Sequence, residues 1–348
     1  MSKALIISLN FNPGHVSHLI ASYKQGEELG YESLYCVHPD FIEFLPEGSR
    51  ICVYGRDVIP NAEVAFFLFP SQKNLKLIRK LKRNTTKIIY VFHEPLAALK
   101  EYRRAGFSYL YLMRLWLINK ISSLIVKWSD AVILPSKKAE ILYTSSGQYK
   151  NKRYYYVPLM FDDERKEEHQ TAKRCFFSYI GTIAPDHSFK EYVDFVEWAL
   201  ENDELPSMKF LIATKSAFEA PEGLRKSERV VIKQGRPMSN EEINDYYSRS
   251  LVIWNAYIRT TQSGVLAKSF CFGTPSIVLR SNLSEFVSDG KEVVAISDNQ
   301  NNVEILNAVI TVIADSTSYS QACRECFLST FYYRNYNSLL SEIISEEK

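Results

Sequence analysis

A chain of 348 residues is long enough for two hydrophobic cores. Its 46% hydrophobic and 24% charged residues fit an ordinary soluble globular protein, and a net charge of +2 gives no global case for a nucleic-acid binder. Six cysteines, at 36, 52, 175, 271, 323 and 326, are too scattered for a disulfide framework.

The opening MSKALIISLNFNPGHVSH has an apolar run too short for a secretory leader. No continuous apolar stretch reaches transmembrane length, so the expected compartment is the cytoplasm, with the inner face of a membrane as a further option. Strands are predicted at 4–9, 32–37, 50–54, 62–69, 87–92, 131–136 and 154–159. Apolar runs of this length, separated by helical patterns, predict a mainly parallel sheet covered on both faces. The stretch from Lys73 to Trp128 holds 13 Lys or Arg against two acids, Glu94 and Glu101. Such a basic face is either a solvated surface or a meeting point for anionic headgroups or phosphorylated substrates. Within it, 96–127 reads as a long helical region broken near Gly106. A buried helix is the first reading, and peripheral membrane contact through 100–128 the second.

Residues 161–174, FDDERKEEHQTAKR, carry charge without apolar periodicity and read as an interdomain linker. Strands then recur at 176–183, 209–214, 229–235, 251–257, 275–280 and 292–296. Helices are predicted at 188–202, 240–249, 264–272 and 301–314. The expected organisation is therefore an N-terminal Rossmann-like domain over 1–160, a second over 175–318, and a helical segment, 319–348, packing back toward the first. The fold class is α/β, with two doubly wound domains facing across a cleft at their carboxyl strand ends.

Four strand-to-loop junctions are candidates for chemistry. NFNPGHVSH (10–18) places Gly14 before a helix, where it either eases a turn or lets backbone approach a ligand. It is not a dinucleotide fingerprint. VFHEP (91–95) ends a strand at His93, an imidazole able to bond a sugar hydroxyl or exchange a proton. GTIAPDHSFKE (181–191) starts at Gly181, and Ser188 with Glu191 fits a capping box. His187 or Lys190 could add charge there. TTQSG (260–264) combines Thr260, Gln262, Ser263 and Gly264 at a helix start, where free N–H groups suit an anion. Cys323 and Cys326 form a lone C-x2-C in a helical run, a poor redox or zinc motif.

In order and spacing, SDAVILPS (129–136), YIGTIAPDHSFKEYVDF (179–195), QSGVLAKSFCFGTPSIV (262–278) and SNLSEFVSDG (281–290) resemble retaining glycosyltransferases of the two-Rossmann-domain, GT-B type, family 4-like. The resemblance covers most of the chain and is weakest in the first 90 residues. It implies a UDP-, GDP- or dTDP-linked sugar donor held by the second domain. It also implies a glycan or lipid-linked acceptor on the first, no metal and no cofactor. It makes Gly14 the glycine beside the donor phosphates, His93 the histidine near the transferred sugar and Glu285 a residue near the nucleotide. The family's arginine and lysine after Gly181 are replaced by Thr182 and His187. Its two glutamates are replaced by Thr260 and Lys268. Lys268 is the expected substitute cation, assigned to the phosphates with His93 as its catalytic companion; an exposed helix-face lysine is the alternative. A non-catalytic partner and a sugar-nucleotide epimerase are the rival functions.

Overall fold

The structure is a computed structural model, and it describes residues 2–149 and 152–346. The chain forms two compact units: one runs up to Asp162 and resumes at Phe331, the other is Asp163–Thr330.

The first unit is built on seven parallel strands, β1 (Lys3–Ser8), β2 (Glu32–Val37), β3 (Ile51–Val53), β4 (Val64–Phe67), β5 (Lys87–Val91), β6 (Ala131–Leu134) and β7 (Tyr154–Tyr156). Their order is β3-β2-β1-β4-β5-β6-β7. The strands are apolar over most of their length because both faces of the central ones are covered. Leu5, Ile7, Ala65, Phe67 and Tyr90 face one core, and Ala4, Ile6, Val64, Phe66 and Ile89 the other. Helices α1 (Val16–Glu28), α2 (Gln72–Lys82), α3 (Leu99–Arg104), α4 (Tyr109–Trp128) and α5 (Lys137–Ser145) connect the strands. Gly106, at φ +89°, makes the break between α3 and α4. Buried-helix packing does not describe α4: Tyr109, Leu110, Met113, Trp116 and Leu117 are exposed. With 20 residues and a mean hydropathy of 1.2, α4 is also long and apolar enough to cross a membrane. Arg114 and Lys120 hide this when the sequence is read for an uninterrupted apolar run.

The second unit opens with α6 (Glu167–Gln170) and carries β8 (Phe176–Ile180), β9 (Lys209–Ala213), β10 (Val230–Lys233), β11 (Ser250–Asn255), β12 (Ser276–Leu279) and β13 (Val293–Ile296). They are parallel, in the order β10-β9-β8-β11-β12-β13. Helices α7 (Phe189–Glu201), α8 (Glu222–Lys226), α9 (Asn240–Arg249), α10 (Gly264–Cys271), α11 (Asn302–Ala314) and α12 (Ser316–Cys326) complete it. Trp254, Phe177, Tyr192 and Phe195 fill its core. Burying side chains of this size contributes roughly 1.5–3 kcal/mol each.

The charged 161–174 stretch is more structured than a bare linker. It contains α6, and its Glu164 is buried against α9 and α10. After α12 the chain returns to the first unit. Phe161 N donates to Phe331 O at 2.9 Å, and Tyr333 N donates to Phe161 O at 3.0 Å. The last helix, α13 (Asn337–Ser345), puts Leu340 and Ile343 into the core beside Leu19 and Ile20 of α1.

Each sheet reverses its winding once, between β1 and β4 in the first unit and between β8 and β11 in the second. Ligands of doubly wound sheets bind outside the carboxyl ends of the strands at such reversals.

Candidate functional site

In the first unit, the loops after β1, β4 and β5 meet around Phe69. The His15 ring stacks on Phe69 with centroids 3.2 Å apart and planes 6° apart. His18 and His93 each lie 6.2 Å from the same ring. His18 is also held by Phe161, at 4.6 Å, and by the Met160 carbonyl, which accepts from Nδ1 at 3.2 Å. Burial holds the His93 imidazole below its ordinary value against the pull of Glu94, so the neutral ring is favoured near pH 7. A neutral imidazole both donates and accepts, which suits a hydroxyl. Phe69 carries no chemical signature in the sequence; only the fold identifies it as the hub of three histidines.

Gly14 lies in a tight turn, Pro13–His15, where Asn12 Oδ1 accepts from its N–H at 3.2 Å. Its backbone is not left-handed, and an added Cβ would make only an ordinary 3.6 Å contact with Asn12. The fold therefore does not require glycine here.

In the second unit, the loops after β8 and β11 come together. Gly181 has φ +152° and lies against Tyr257 Oη and Val265, each within 3.8 Å of where a Cβ would stand. The Thr182 carbonyl accepts from Tyr179 Oη at 2.8 Å and from His187 Nδ1 at 2.7 Å. A carbonyl can only accept, so Nδ1 carries a proton. The His187 ring stacks on Tyr257 at 4.2 Å. Ser263 caps α10 through Leu266 N at 3.3 Å, and Asn255 Nδ2 donates to the same hydroxyl at 3.0 Å. Gln262 is buried beside it, while Thr260 and Gly264 are half-buried. Thus Gly181, Thr182, His187 and Ser263 belong to one loop cluster. Glu285 is exposed in the loop after β12, a loop tied to this cluster by Asn282 Nδ2, which donates to Tyr257 O at 3.1 Å.

The expected capping box at Ser188 does not form. Ser188 is left-handed, at φ 52° and ψ 42°, which turns its hydroxyl away from the helix start. It accepts instead from Asn299 Nδ2 at 2.8 Å, and its carbonyl accepts from Trp254 Nε1 at 2.9 Å. Lys190 points to solvent and pairs with Asp194.

Lys268 is neither solvent-facing nor directed first at a ligand. It is 5% exposed, and its ammonium donates to Glu164 Oε1 at 2.6 Å and Asn240 Oδ1 at 3.3 Å. Asn240 and Asn244 donate to the other carboxylate oxygen. Burial pushes Glu164 up, but the Lys268 charge and these hydrogen bonds outweigh it and hold the carboxyl below its ordinary value. The cation that sequence reasoning overlooked is Arg259. It immediately precedes Thr260, is buried, and lies 3.6 Å from Asp186. Ile258 N donates to Asp186 O at 2.9 Å, so the pair fastens the two loops to each other. A buried arginine fixed beside helix starts is suited to an anion with several oxygens.

A cavity of about 720 Å³ opens beside β10, lined in part by Phe218, Ile232, Gln234, Arg236 and Met238. It lies two strand positions from β8, or ~10 Å at normal strand spacing. Among the described residues, no group of three or more His, Cys, Asp or Glu side chains could hold a metal ion. Cys323 and Cys326 are buried and their thiols pushed up by burial, which keeps them protonated and unreactive.

No family model matches the chain, and no curated protein matches it. Solved structures match its fold over almost the whole length. Sucrose-phosphate synthase from Thermosynechococcus elongatus is 14% identical, covering 99% of this chain and 98% of its own, with a TM-score of 0.70. HepE of Anabaena, in complex with UDP and glucose, is 12% identical over 99% and 100%, with a TM-score of 0.71. A protein described as a UDP-N-acetylglucosamine 2-epimerase from Listeria monocytogenes is 11% identical over 97% and 94%, with a TM-score of 0.61. The chain has the GT-B fold of two Rossmann-like domains.

Proposed function

We propose that the protein transfers a sugar from a nucleotide-sugar donor to a hydroxyl of a glycan or lipid-linked acceptor, with retention of anomeric configuration and without a metal ion. The observation that carries this reading is the loop cluster at the β8/β11 reversal. There the strained Gly181, the capped start of α10 and the buried Arg259 converge.

The diphosphate is assigned to that cluster. Backbone N–H groups of Thr182, Ser263 and Gly264, with Thr260, Gln262 and His187, hold its oxygens, and Gly181, whose own N–H donates to Ala213 O, turns the chain toward them. Arg259 supplies the positive charge. Lys268 acts through its grip on Glu164, which fixes α10 and hence the loop before it. Glu285 approaches the nucleotide end. The nucleoside extends toward the cavity beside β10, and UDP is the first base to test because HepE, of the same fold, holds UDP.

Charge grows on the leaving phosphate as the glycosidic bond breaks, so fixed donors there lower the barrier most. The departing phosphate takes the acceptor proton on the same sugar face, and no protein nucleophile is required. Neutral His93 bonds and orients the sugar, and Gly14 lets backbone approach the phosphates without a Cβ in between.

The test is acceptor-dependent release of nucleoside diphosphate from UDP-, GDP- and dTDP-sugars, with the product anomer read by NMR. Release with retained configuration supports the proposal; failure of every donor to bind or react refutes it. An epimerase is the second reading, because a protein of the same fold is described as one. It predicts conversion of the donor sugar without any acceptor.

A further inference from the structure

The surface that the sugar-transfer reading leaves unexplained is α4. Its burial pattern is mixed, with a row of large apolar residues left outside. Polar Asn119 and Ser122 point inward with Leu112, Ile125 and Val126, and Tyr149 Oη donates to Asn119 Oδ1 at 3.1 Å. Outward stand Leu110, 80% exposed, Met113, 66%, Leu117, 54%, and Leu124, 42%, with half-buried Ile121 completing the stripe. Their 3-4-4-3 spacing is one helix face. Tyr109, 70% exposed, and Trp116, 50%, border it. A helix in contact with water alone would place its polar residues outward and its leucines inward.

The border is cationic. Residues 99–128 contain Lys100, Arg103, Arg104, Arg114, Lys120 and Lys127 against the single acid Glu101. The Arg103 guanidinium lies 3.7 Å from the Tyr109 ring and Lys120 lies 5.4 Å from the Trp116 ring, so cations and interfacial aromatics occupy the same level. Nearby, Arg79 of α2 covers Trp128 at 4.4 Å.

We infer that α4 lies flat in the surface of an anionic bilayer, with Leu110, Met113, Leu117 and Leu124 among the acyl chains and the bordering cations on lipid phosphates. Charge decides among the occupants of such a face. A second copy would bring the same cations against themselves, whereas an anionic headgroup layer neutralises them. A spanning arrangement would drag Arg114 and Lys120 into hydrocarbon and strip α4 from the sheet it covers. The inference rests on this surface alone and stands apart from the donor-site reading.

The test uses the full-length protein and vesicles of phosphatidylglycerol with phosphatidylcholine, or of phosphatidylcholine alone. Binding to the anionic vesicles should be tighter by roughly tenfold or more and should weaken with salt. Leu110→Glu/Leu117→Glu and, separately, Arg103→Glu/Arg104→Glu/Arg114→Glu should each abolish it. Nucleotide binding should be unchanged in both variants, so a failed donor site and a failed membrane face give different results. In the native protein, lipids brominated near the headgroup should quench the Trp116 fluorescence, taken as the difference from Trp116→Phe. Strongest quenching by lipids brominated at the bilayer centre would overturn the flat arrangement. Absence of vesicle binding would overturn the proposal, as would a dimer in light scattering that Leu117→Glu dissolves without any vesicle affinity.

Discussion

The two sheet reversals are built from the same topology but carry opposite chemistry. In the first unit the loops after β1, β4 and β5 gather three imidazoles on one phenylalanine. In the second, the loops after β8 and β11 are fastened by a buried arginine–aspartate pair, and α10 by a buried lysine–glutamate pair. The neutral His93 ring suits a hydroxyl; fixed charge and helix starts suit phosphate. Under the proposed function, sugar and acceptor work falls mainly to the first unit and nucleotide work mainly to the second, and substitutions should affect the two in different ways.

The largest expected effect is on stability. Lys268→Ala leaves the Glu164 carboxylate buried without its cation and should cost about 3–5 kcal/mol in urea unfolding. Replacing both as Lys268→Met/Glu164→Gln should recover most of that loss. The Glu164 carboxyl lies below its ordinary value in the folded state. Its contribution is thus present above the unfolded value and lost as pH falls through the folded one. The native protein should lose this part of its stability at acid pH, and the double variant should not.

Next come the two glycines. Gly181→Ala places a side chain in a positive-φ backbone and should cost about 1–3 kcal/mol. Gly14→Ala should change stability by less than about 0.5 kcal/mol, because its Cβ meets only an ordinary contact. Gly14→Ala should nevertheless weaken donor turnover. Thermal unfolding beside steady-state rates separates the two outcomes; equal destabilisation would erase the contrast.

Arg259→Gln should weaken nucleotide-sugar affinity by about tenfold or more, the worth of a charge-assisted hydrogen bond. Arg259→Lys should lose less. Calorimetric titration checks both, with circular dichroism to confirm folding. The smallest effect concerns pH. Because His93 titrates below the ordinary imidazole value, turnover should stay level on acidification through that value and fall only lower, as the ring gains its proton. His93→Gln should remove that acid limb while leaving nucleotide affinity intact.

The thirteen strands among the described residues are legible in the sequence because strands covered on both faces are apolar at consecutive positions, as in ALII and VAFF, and the half-buried edge strands keep the same character. The glycine and proline punctuation around Gly181 and Gly273 is equally readable, since it is local. What escapes is pairing at long range. Glu164 lies in a charged run that resembles a solvated linker, yet its partner is Lys268, and Asp186 finds Arg259 on another loop. Phe69 becomes a hub solely by the topology that places β4 beside β1. The exposure of α4 is hidden for a related reason: composition states that a helix is apolar, not whether another element covers it.

Hydrogen exchange of the whole protein with UDP, GDP and dTDP tests the assignment of nucleotide to the second unit most directly. One nucleotide should slow exchange in the segments 181–190 and 258–266 and leave the loops after β4 and β5 largely unchanged. Protection confined to the first unit, or no protection by any of the three, would contradict it.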